Sequence, residues 1–493
     1  IPFDIGNAFI RASIGSLKVI VTIPETMRDD SQDKGRRMLL KALYGLPISP
    51  RLWAKCLGKD LQKLGWTESQ YEPGVWRKYE DSKLVGFLTV YVDDCILACK
   101  DEQTAKVELD KIHKTHPLTV IQCKPTDDGG IAFDMTGSDI KYNATRKTMS
   151  ISMSNFINKM LERFDMKNCK PRATPTFEEK NLYAESKECD FPFRSAVGAL
   201  QWAVTCARPD LAHSVNTLAR AASKKCTLAM QKCARFVFRY CSKSKDYSIG
   251  YSPEAEAQFN KEYKEVTTSS ENASLSKQSL EHMDKSVHVF TDASFGTEYK
   301  TMKSISGIVV YLHGCPIAWR SKVQTLLTTC TTQSEYVAMA DAIEFSSTVY
   351  GLKNFLLGLN TEASAPDGPL WTDNRGAALI ARKGVLNRDE IKQASRHIAL
   401  RFASVLSHAD RVFWTPTDKQ QGDALTKSSN SKAIWNICPW FNTHIPSLDI
   451  DVEEDYEEDE TEVFYSSINF EFLRRSLAKP TTTIDAMLAM TWL

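Results

Sequence analysis

The sequence predicts two mixed domains of helices and strands, an α+β domain followed by an α/β domain. Short apolar, β-branched runs alternate with amphipathic helical stretches in both halves of the chain, which is typical of mixed folds. Between them, residues 253–286 are rich in Glu, Lys, Ser, Asn and Gln and have few apolar positions, which predicts a linker that is flexible or loosely helical. At 493 residues the chain is long enough for two to four domains.

A predicted β-hairpin at 84–99 organises the first domain. Two apolar runs flank the polar pair Asp93-Asp94, which places adjacent carboxylates at a tight turn. The two carboxylates repel each other, and burial between apolar strands increases the repulsion. A divalent cation removes this conflict, because hard oxygen ligands suit Mg²⁺ or Mn²⁺. An ordinary Asp-Asp turn is the alternative, and a third carboxylate upstream would favour the metal site.

That third carboxylate is Asp4, at the end of a short strand that runs into a turn within residues 1–9. Downstream, Gly45 and Pro47 predict a turn, and Ser49 with Pro50 predicts the start of a helix that buries Leu52, Trp53, Cys56, Leu57, Leu61 and Leu64. After the hairpin, Asp101 is expected to cap a helix that ends near His116.

These motifs resemble the reverse transcriptases of copia-type LTR retrotransposons. Reverse transcriptases carry Tyr91-Val-Asp-Asp94 at this turn, and Lys41-Ala-Leu-Tyr-Gly-Leu-Pro-Ile-Ser-Pro-Arg-Leu-Trp53 is similar to a signature of the copia family. The resemblance implies a polymerase palm with truncated fingers. Asp4, Asp93 and Asp94 are then the catalytic metal ligands, and Tyr91 lies in the nucleotide site. Phe9 closes the pocket against a ribose 2′-OH, serves as a core aromatic, or does both.

Two segments depart from the family pattern. Ile48 stands where the family usually has Gln, and residues 133–139 are a poor version of the strand that grips the primer. Further on, the pattern around Arg194 and Arg208 follows the palm in copia elements and implies a helical thumb or connection over 181–252. These two arginines contact phosphates or form structural salt bridges, and the sequence leaves both open.

The second domain offers four carboxylates, each at the end of a predicted strand or on a helix: Asp292, Glu335, Asp373 and Asp423. Any one of them alone is more often a helix cap or a surface acid. In this order they resemble the Asp-Glu-Asp-Asp site of the ribonuclease H fold in its copia version. The resemblance implies that all four bind metal, with two Mg²⁺ (or Mn²⁺) about 4 Å apart in each active site of the chain.

The charge distribution and the cysteine spacing indicate the kind of partner and the cellular compartment. Residues 449–462 hold ten acidic residues and no basic ones, which leaves the rest of the chain at a formal +11, and a basic body is compatible with a nucleic-acid partner. The thirteen Cys form no CxxC pair, which disfavours zinc ribbons and disulfide frameworks and favours a reducing intracellular setting, cytoplasmic or nuclear. No apolar run reaches the roughly 18 residues of a membrane span.

The resemblance therefore predicts the reverse transcriptase and ribonuclease H region of a copia-type Pol polyprotein. The expected domains are a palm with partial fingers (1–180), a helical thumb or connection (181–252), the linker (253–286), a ribonuclease H-like α/β domain (287–430) and an acidic, disordered tail (431–493). The implied partners are an RNA template, a DNA primer, an RNA–DNA hybrid and dNTPs. The alternatives are an inactive relic that binds nucleic acid and a chain that acts only as a ribonuclease H.

Overall fold

The computed structural model describes residues 1–28, 34–273, 280–359, 368–383 and 396–427. These residues form two compact units: unit 1 contains 1–136 and 348–359, and unit 2 contains 137–347, 368–383 and 396–427. The predicted acidic tail lies outside the described residues.

Unit 1 is built on a six-stranded antiparallel sheet with the strand order β4-β5-β6-β7-β1-β8. Its elements are β1 Pro2–Ile5, α1 Ala8–Arg11, β2 Ile20–Thr22, β3 Arg36–Met38, α2 Ser49–Lys63, β4 Trp66–Glu68, β5 Val75–Glu80, β6 Lys83–Tyr91, β7 Asp94–Cys99, α3 Glu102–Thr115, β8 Leu118–Val120, β9 Lys124–Pro125 and β10 Ile131–Met135.

Helices α2 and α3 supply the core of unit 1. Trp53 and Leu57 of α2 are buried in the same cluster as Leu109 of α3 and the strand residues Phe3 and Leu97. The predicted cap of α3 is confirmed, because the Asp101 side chain accepts a hydrogen bond from the Thr104 backbone N–H at 2.7 Å. The start of α2 differs from the prediction. The Ser49 hydroxyl donates to the Leu43 carbonyl at 2.7 Å and does not cap the helix, which begins at Ser49 itself.

Unit 2 contains two sheets and most of the helices. Its elements are β11 Ser138–Asn143, β12 Thr148–Ser152, α4 Ser154–Arg163, α5 Glu179–Leu182, α6 Phe193–Cys206, α7 Ala212–Ala219, α8 Leu228–Lys243, β13 Ser248–Tyr251, α9 Pro253–Thr267, β14 Val287–Ser294, β15 Ile305–Leu312, β16 Cys315–Val323, α10 Thr331–Leu356 (which begins in this unit), β17 Leu370–Thr372, α11 Arg375–Lys383, α12 Arg396–Leu406 and β18 Val412–Trp414.

One sheet of unit 2 has the strand order β16-β15-β14-β17-β18. Strands β14, β15 and β16 pair antiparallel, whereas β14, β17 and β18 pair parallel. The β15–β16 hairpin turns at His313-Gly314, both with positive φ (50° and 73°), as a tight two-residue turn requires. The predicted strands of this domain are confirmed, with boundaries shifted by a few residues.

In the helical region 181–252, Arg208 forms a structural salt bridge, which is one of the two roles that the sequence left open for it. Arg208 and Asp210 are buried, and the guanidinium donates to both carboxylate oxygens of Asp210 and to the Ser244 carbonyl. Tyr240 donates its hydroxyl proton to the same carboxylate at 2.7 Å. Arg194 donates to the Ala222 carbonyl. Arg208 is therefore a buried structural residue, since a phosphate cannot reach a guanidinium with no exposed side-chain surface.

The predicted linker at 253–286 is partly helical, as one of its two predicted forms has it, but its helix is packed and not loose. Its first half is α9, whose side chains Phe259 and Tyr263 are buried. Phe259 stacks on Tyr311 of β15 with ring centroids 5.1 Å apart, and the Tyr263 hydroxyl donates to the Lys419 carbonyl at 2.9 Å. The polar composition hid the packing of this helix, because only three of its residues are buried and two of them are aromatic side chains that each bury a large area.

The segment 133–139 also differs from the single strand expected there. A turn at Thr136-Gly137, both with positive φ (54° and 84°), separates β10 from β11. None of the described helices is long and apolar enough to cross a membrane.

Candidate active sites

The candidate polymerase site lies on two neighbouring strands of unit 1. Strands β1 and β7 pair antiparallel, and their register places Asp4 directly opposite Asp94. Tyr91 and Asp94 close the β6–β7 hairpin, which leaves Val92 and Asp93 as its two-residue loop. The Ile5 backbone N–H donates to the Asp93 carbonyl at 2.9 Å and ties the loop to β1. The sheet thus brings Asp4 next to the Asp93-Asp94 pair, which lies about 90 residues further along the chain.

The loop is held in a strained conformation. Val92 has a φ of 61°, a region that β-branched residues rarely adopt, because the side chain crowds the following carbonyl. The Val92 carbonyl accepts a hydrogen bond from the indole N–H of Trp53 at 2.5 Å. Trp53 is buried in the core, so the helix α2 that carries it fixes the turn. Sequence reasoning assigned Trp53 to the core and missed this contact.

Electrostatic repulsion is concentrated on Asp94. Burial and the charges of Asp93, Asp4 and Asp134 raise its pKa to about 6, and a hydrogen bond from the Thr136 backbone opposes this increase. Asp134 is a fourth negative charge at the site that sequence reasoning did not identify. No spacing pattern in the sequence points to it, because it arrives on a different strand, β10.

Phe9 and Tyr91 lie beside these aspartates in the chain. Phe9 is on the single-turn helix α1, half-buried, and its ring centroid lies 4.7 Å from that of Tyr44. It packs against the unit 1 core but is not enclosed by it. The structure therefore allows both predicted roles of Phe9, pocket wall and core aromatic.

In unit 2, the parallel register of β14 and β17 brings two of the four predicted carboxylates together. Phe290 aligns with Trp371, so Asp292 and Asp373 follow two residues later on neighbouring strands. Glu335, near the start of α10, completes a group of three whose ligand oxygens all lie within 4.8 Å of one another. Among the described residues this is the one acidic group close enough to hold a metal ion, and the polymerase aspartates do not reach this spacing.

The fourth predicted carboxylate, Asp423, lies on a short 3₁₀ helix at Gln421–Leu425 beside this group, but it is not one of the three residues whose oxygens lie within 4.8 Å of one another. Two glycines permit this close approach. A Cβ on Gly307 of β15 would lie 2.7 Å from the Gly422 carbonyl oxygen, and a Cβ on Gly422 would lie 3.0 Å from the Asp292 backbone nitrogen. Asp423 is 4 % exposed, and the charge of Asp292 contributes to the increase in its pKa, which burial raises to about 7.

The cluster is electrostatically unfavourable without cations. Burial raises the pKa of Glu335 well above its usual range, and the charges of Asp292 and Asp373 add to the increase. Burial and the charge of Asp292 raise the pKa of Asp373 as well. Glu335 Oε2 is buried and has no hydrogen-bond partner within the described parts of the chain. An unpartnered carboxylate oxygen among other carboxylates fits a divalent metal ion, which prefers hard oxygen ligands.

Two residues next to Asp423 belong to this site and were missed by the sequence analysis. Thr426 donates its hydroxyl proton to the Asp292 carboxylate. Lys427 forms an ion pair with Asp423, with Nζ 2.9 Å from Oδ1. Their spacing of three and four residues after Asp423 is the signal that could have indicated them, because one helical turn brings such residues to the same face.

Comparison with known proteins finds one matching family model and several similar proteins. Residues 2–178 match the model of the family described as reverse transcriptase (RNA-dependent DNA polymerase). The chain is 24% identical to the retrovirus-related Pol polyprotein from transposon TNT 1-94 of Nicotiana tabacum, over 86% of the chain and 29% of the relative. It is 25% identical to the Pol polyprotein from transposon RE1 of Arabidopsis thaliana, over 88% and 27% of the two.

One relative is shorter, and nearly its whole length matches this chain. The putative transposon Ty5-1 protein of Saccharomyces cerevisiae is 22% identical over 69% of this chain and 99% of its own length. The crystal structure of the prototype foamy virus protease–reverse transcriptase aligns at 11% identity over 87% of this chain and 44% of that one, with a TM-score of 0.20, which is too low to establish a shared fold.

The chain spans less than a third of the length of the TNT 1-94 and RE1 polyproteins. The match to the polymerase family covers the strand of Asp4, helix α2 and the Asp93-Asp94 hairpin, and similarity to the transposon proteins continues over most of the chain. Over most of its length the chain is similar to retrovirus-related Pol polyproteins from transposons, and residues 2–178 match the reverse transcriptase family.

Proposed function

We propose that this chain carries two phosphoryl-transfer activities, RNA-directed synthesis of DNA in unit 1 and hydrolysis of the RNA strand of an RNA–DNA hybrid in unit 2. Its substrates are then dNTPs with an RNA template and a DNA primer, and the hybrid that this synthesis produces. The proposal rests on the membership of residues 2–178 in the reverse transcriptase family and on the acidic sites of both units.

One observation carries the nuclease proposal: the carboxylate oxygens of Asp292, Glu335 and Asp373 lie within 4.8 Å of one another in a largely buried site. Proteins rarely bury three carboxylates together, because each one costs several kcal/mol to desolvate and all repel one another. Divalent cations bound there would activate an attacking water and stabilise the leaving 3′-oxygen of the RNA. The unpartnered Oε2 of Glu335 is the oxygen that gains most from such binding.

In unit 1, Asp4, Asp93 and Asp94 would hold the metal ions that the polymerase reaction requires. The primer 3′-OH attacks the α-phosphate of the dNTP, and pyrophosphate leaves. The Trp53–Val92 hydrogen bond keeps the Asp93-Asp94 turn in place, and an accurately placed group is worth orders of magnitude in rate. Phe9 would act by sterics, because its ring occupies space that a ribose 2′-OH needs.

The test of the nuclease proposal is cleavage of a labelled RNA–DNA hybrid by the 493-residue chain in Mg²⁺. We expect Asp373→Asn to lower the cleavage rate by about a hundredfold or more, because the substitution removes a charged ligand from the site at nearly constant volume. Asp410→Asn is the matched control, since Asp410 is an exposed aspartate of the same unit. Undiminished cleavage by Asp373→Asn would exclude this site.

A chain that acts only as a nuclease is the second candidate. It is favoured by one observation: of the two acidic sites, only that of unit 2 has three carboxylates at metal-binding spacing within the described residues. A primer-extension assay on the same preparation distinguishes the two. Extension that Asp94→Asn abolishes supports both activities, whereas cleavage without any extension leaves the nuclease alone.

A further inference from the structure

Lys427 is a cation placed at the opening of an otherwise negative site. Its Nζ lies 2.9 Å from Asp423 Oδ1, and its side chain is 36% exposed whereas that of Asp423 is 6% exposed. The pKa values of Glu335, Asp373 and Asp423 are all raised by burial, and the charge of Lys427 opposes this increase in each of them. The ammonium therefore acts on the whole cluster and not on Asp423 alone.

The backbone on either side of Lys427 is fixed to the cluster. Thr426 donates to the Asp292 carboxylate, and the Lys427 backbone N–H donates to the Asp423 carbonyl at 3.2 Å. Gly307 allows this segment to lie directly on β15. The lysine therefore cannot move far from the carboxylates, while its long, flexible side chain can still change partner.

A charge balance indicates the ligand of this ammonium. Four carboxylates and two divalent cations cancel each other, so a phosphodiester in the site would bring one negative charge without a partner. Lys427 carries an opposite charge at the point where the buried site meets solvent. A lysine ammonium is a compact charge with three donors and suits a non-bridging phosphate oxygen.

We propose that Lys427 binds the scissile phosphodiester of the nucleic acid, and that in the absence of substrate and metal it occupies the cation position beside Asp423. This proposal rests on the nuclease function proposed above. It predicts different effects on binding of the hybrid and on binding of the metal. Removal of the charge weakens binding and cleavage of the hybrid, but it does not weaken binding of the metal, because the ammonium and the metal compete for the same carboxylates.

The test compares Lys427→Gln, Lys427→Met and Lys427→Arg in the 493-residue chain. Lys419→Gln is the matched control, because Lys419 lies on the same segment but pairs with Glu262 at 3.5 Å. Mn²⁺ binding is measured by electron paramagnetic resonance in a background that carries Asp93→Asn and Asp94→Asn, which confines tight binding to the nuclease site. Hybrid binding is measured in Ca²⁺ at several salt concentrations, and cleavage in Mg²⁺.

We expect the Gln and Met variants to bind Mn²⁺ at least as tightly as the unsubstituted chain. Their hybrid affinity should show a salt slope smaller by about 1, the loss expected for one phosphate contact. Their cleavage rate should fall by about 10- to 100-fold, and Arg should restore most of it. A salt slope and cleavage rate equal to those of Lys419→Gln would overturn the proposal. Loss of Mn²⁺ binding would overturn it too, since Lys427 would then only support the site.

Failure of the proposed function gives a different result. If the unsubstituted chain binds Mn²⁺ and hybrid but cleaves nothing, the nuclease activity is excluded, and the salt slope of hybrid binding still decides whether Lys427 contacts a phosphate.

Discussion

At the scale of single residues, the turn at Asp93-Asp94 shows how a site can depend on a side chain outside it. Val92 adopts a φ of 61°, and the Trp53 indole N–H donates to its carbonyl. A strained residue of this kind costs on the order of 1–3 kcal/mol and persists only where its surroundings hold it. Trp53 is therefore a positioning residue for the aspartates.

We expect Trp53→Phe to lower the rate of primer extension by about tenfold while cleavage of the hybrid stays unchanged. The substitution keeps an aromatic ring in the core but removes the hydrogen bond to Val92, and misplacement of a reacting group by about 1 Å costs on the order of a hundredfold. Trp76→Phe is the matched control, because Trp76 is buried in the same core cluster. An equal loss of extension in both variants would point to general destabilisation.

Phe9 offers a second prediction at this scale. If its ring closes the sugar pocket, Phe9→Val should lower the preference for dNTPs over rNTPs, because the smaller side chain leaves room for a 2′-OH. The measurement is the ratio of incorporation efficiencies for one base in both sugar forms. Tyr44→Phe, which keeps the ring that contacts Phe9, serves as the control. An unchanged ratio would assign Phe9 to the core alone.

At the scale of elements, the nuclease site depends on how closely the Gln421–Leu425 turn approaches β15. Gly307 has no Cβ where one would meet the Gly422 carbonyl oxygen and the Thr426 methyl group, each at 2.7 Å. The contact is between backbone segments, so a flexible side chain cannot absorb the clash. This approach is what brings Asp423 and Lys427 to strands β14 and β17.

We therefore expect Gly307→Ala to lower hybrid cleavage by about tenfold or more, with extension unchanged. The added methyl group must push residues 421–427 away from the sheet and so separate Asp423 from Asp292. Gly376→Ala is the control, because a Cβ there meets its nearest neighbour, Asn374 Oδ1, at an ordinary 3.4 Å. Cleavage by Gly307→Ala at the rate of the control would show that the segment tolerates displacement.

At the scale of the whole molecule, we expect the two acidic sites to make stability depend on divalent cations. Each site holds carboxylates that repel one another, and cations bound only by the folded state stabilise it through mass action. At a Mg²⁺ concentration about ten times Kd, the stabilisation is about 1.4 kcal/mol. That corresponds to a rise of about 3–6 °C in the Tm of a domain of this size.

We expect EDTA to lower the Tm of the chain by this amount and Mg²⁺ to restore it. The measurement is a thermal scan at a fixed rate. The difference in Tm between EDTA and Mg²⁺ should become smaller in Asp373→Asn. The neutral side chain weakens binding of the metal, and it also relieves the repulsion between carboxylates when no metal is bound. An equal response of Asp373→Asn and the unsubstituted chain would mean that the cation acts elsewhere.

The sequence by itself indicated the resemblance to copia-type transposon Pol polyproteins, the order of the elements and the residue types of both candidate sites. Apolar alternation predicted the β6–β7 hairpin and the strands β14 to β17, because a pleated strand repeats every two residues and leaves that period in the sequence. The assignments of Asp4, Asp93, Asp94, Tyr91 and Phe9 to the polymerase, and of Asp292, Glu335, Asp373 and Asp423 to the nuclease, remain predictions for the experiments above.

The tertiary structure alone decided which distant side chains meet. Composition predicted a linker where α9 buries Phe259 and Tyr263, because burial depends on a partner surface that the local sequence does not encode. Likewise, only the tertiary structure shows that Trp53 and Asp134 contribute to the site at Asp93-Asp94. Only the tertiary structure shows that Lys427 contributes to the site at Asp292. Local patterns specify elements, but long-range pairing and desolvation decide which charges meet and how far their pKa values move.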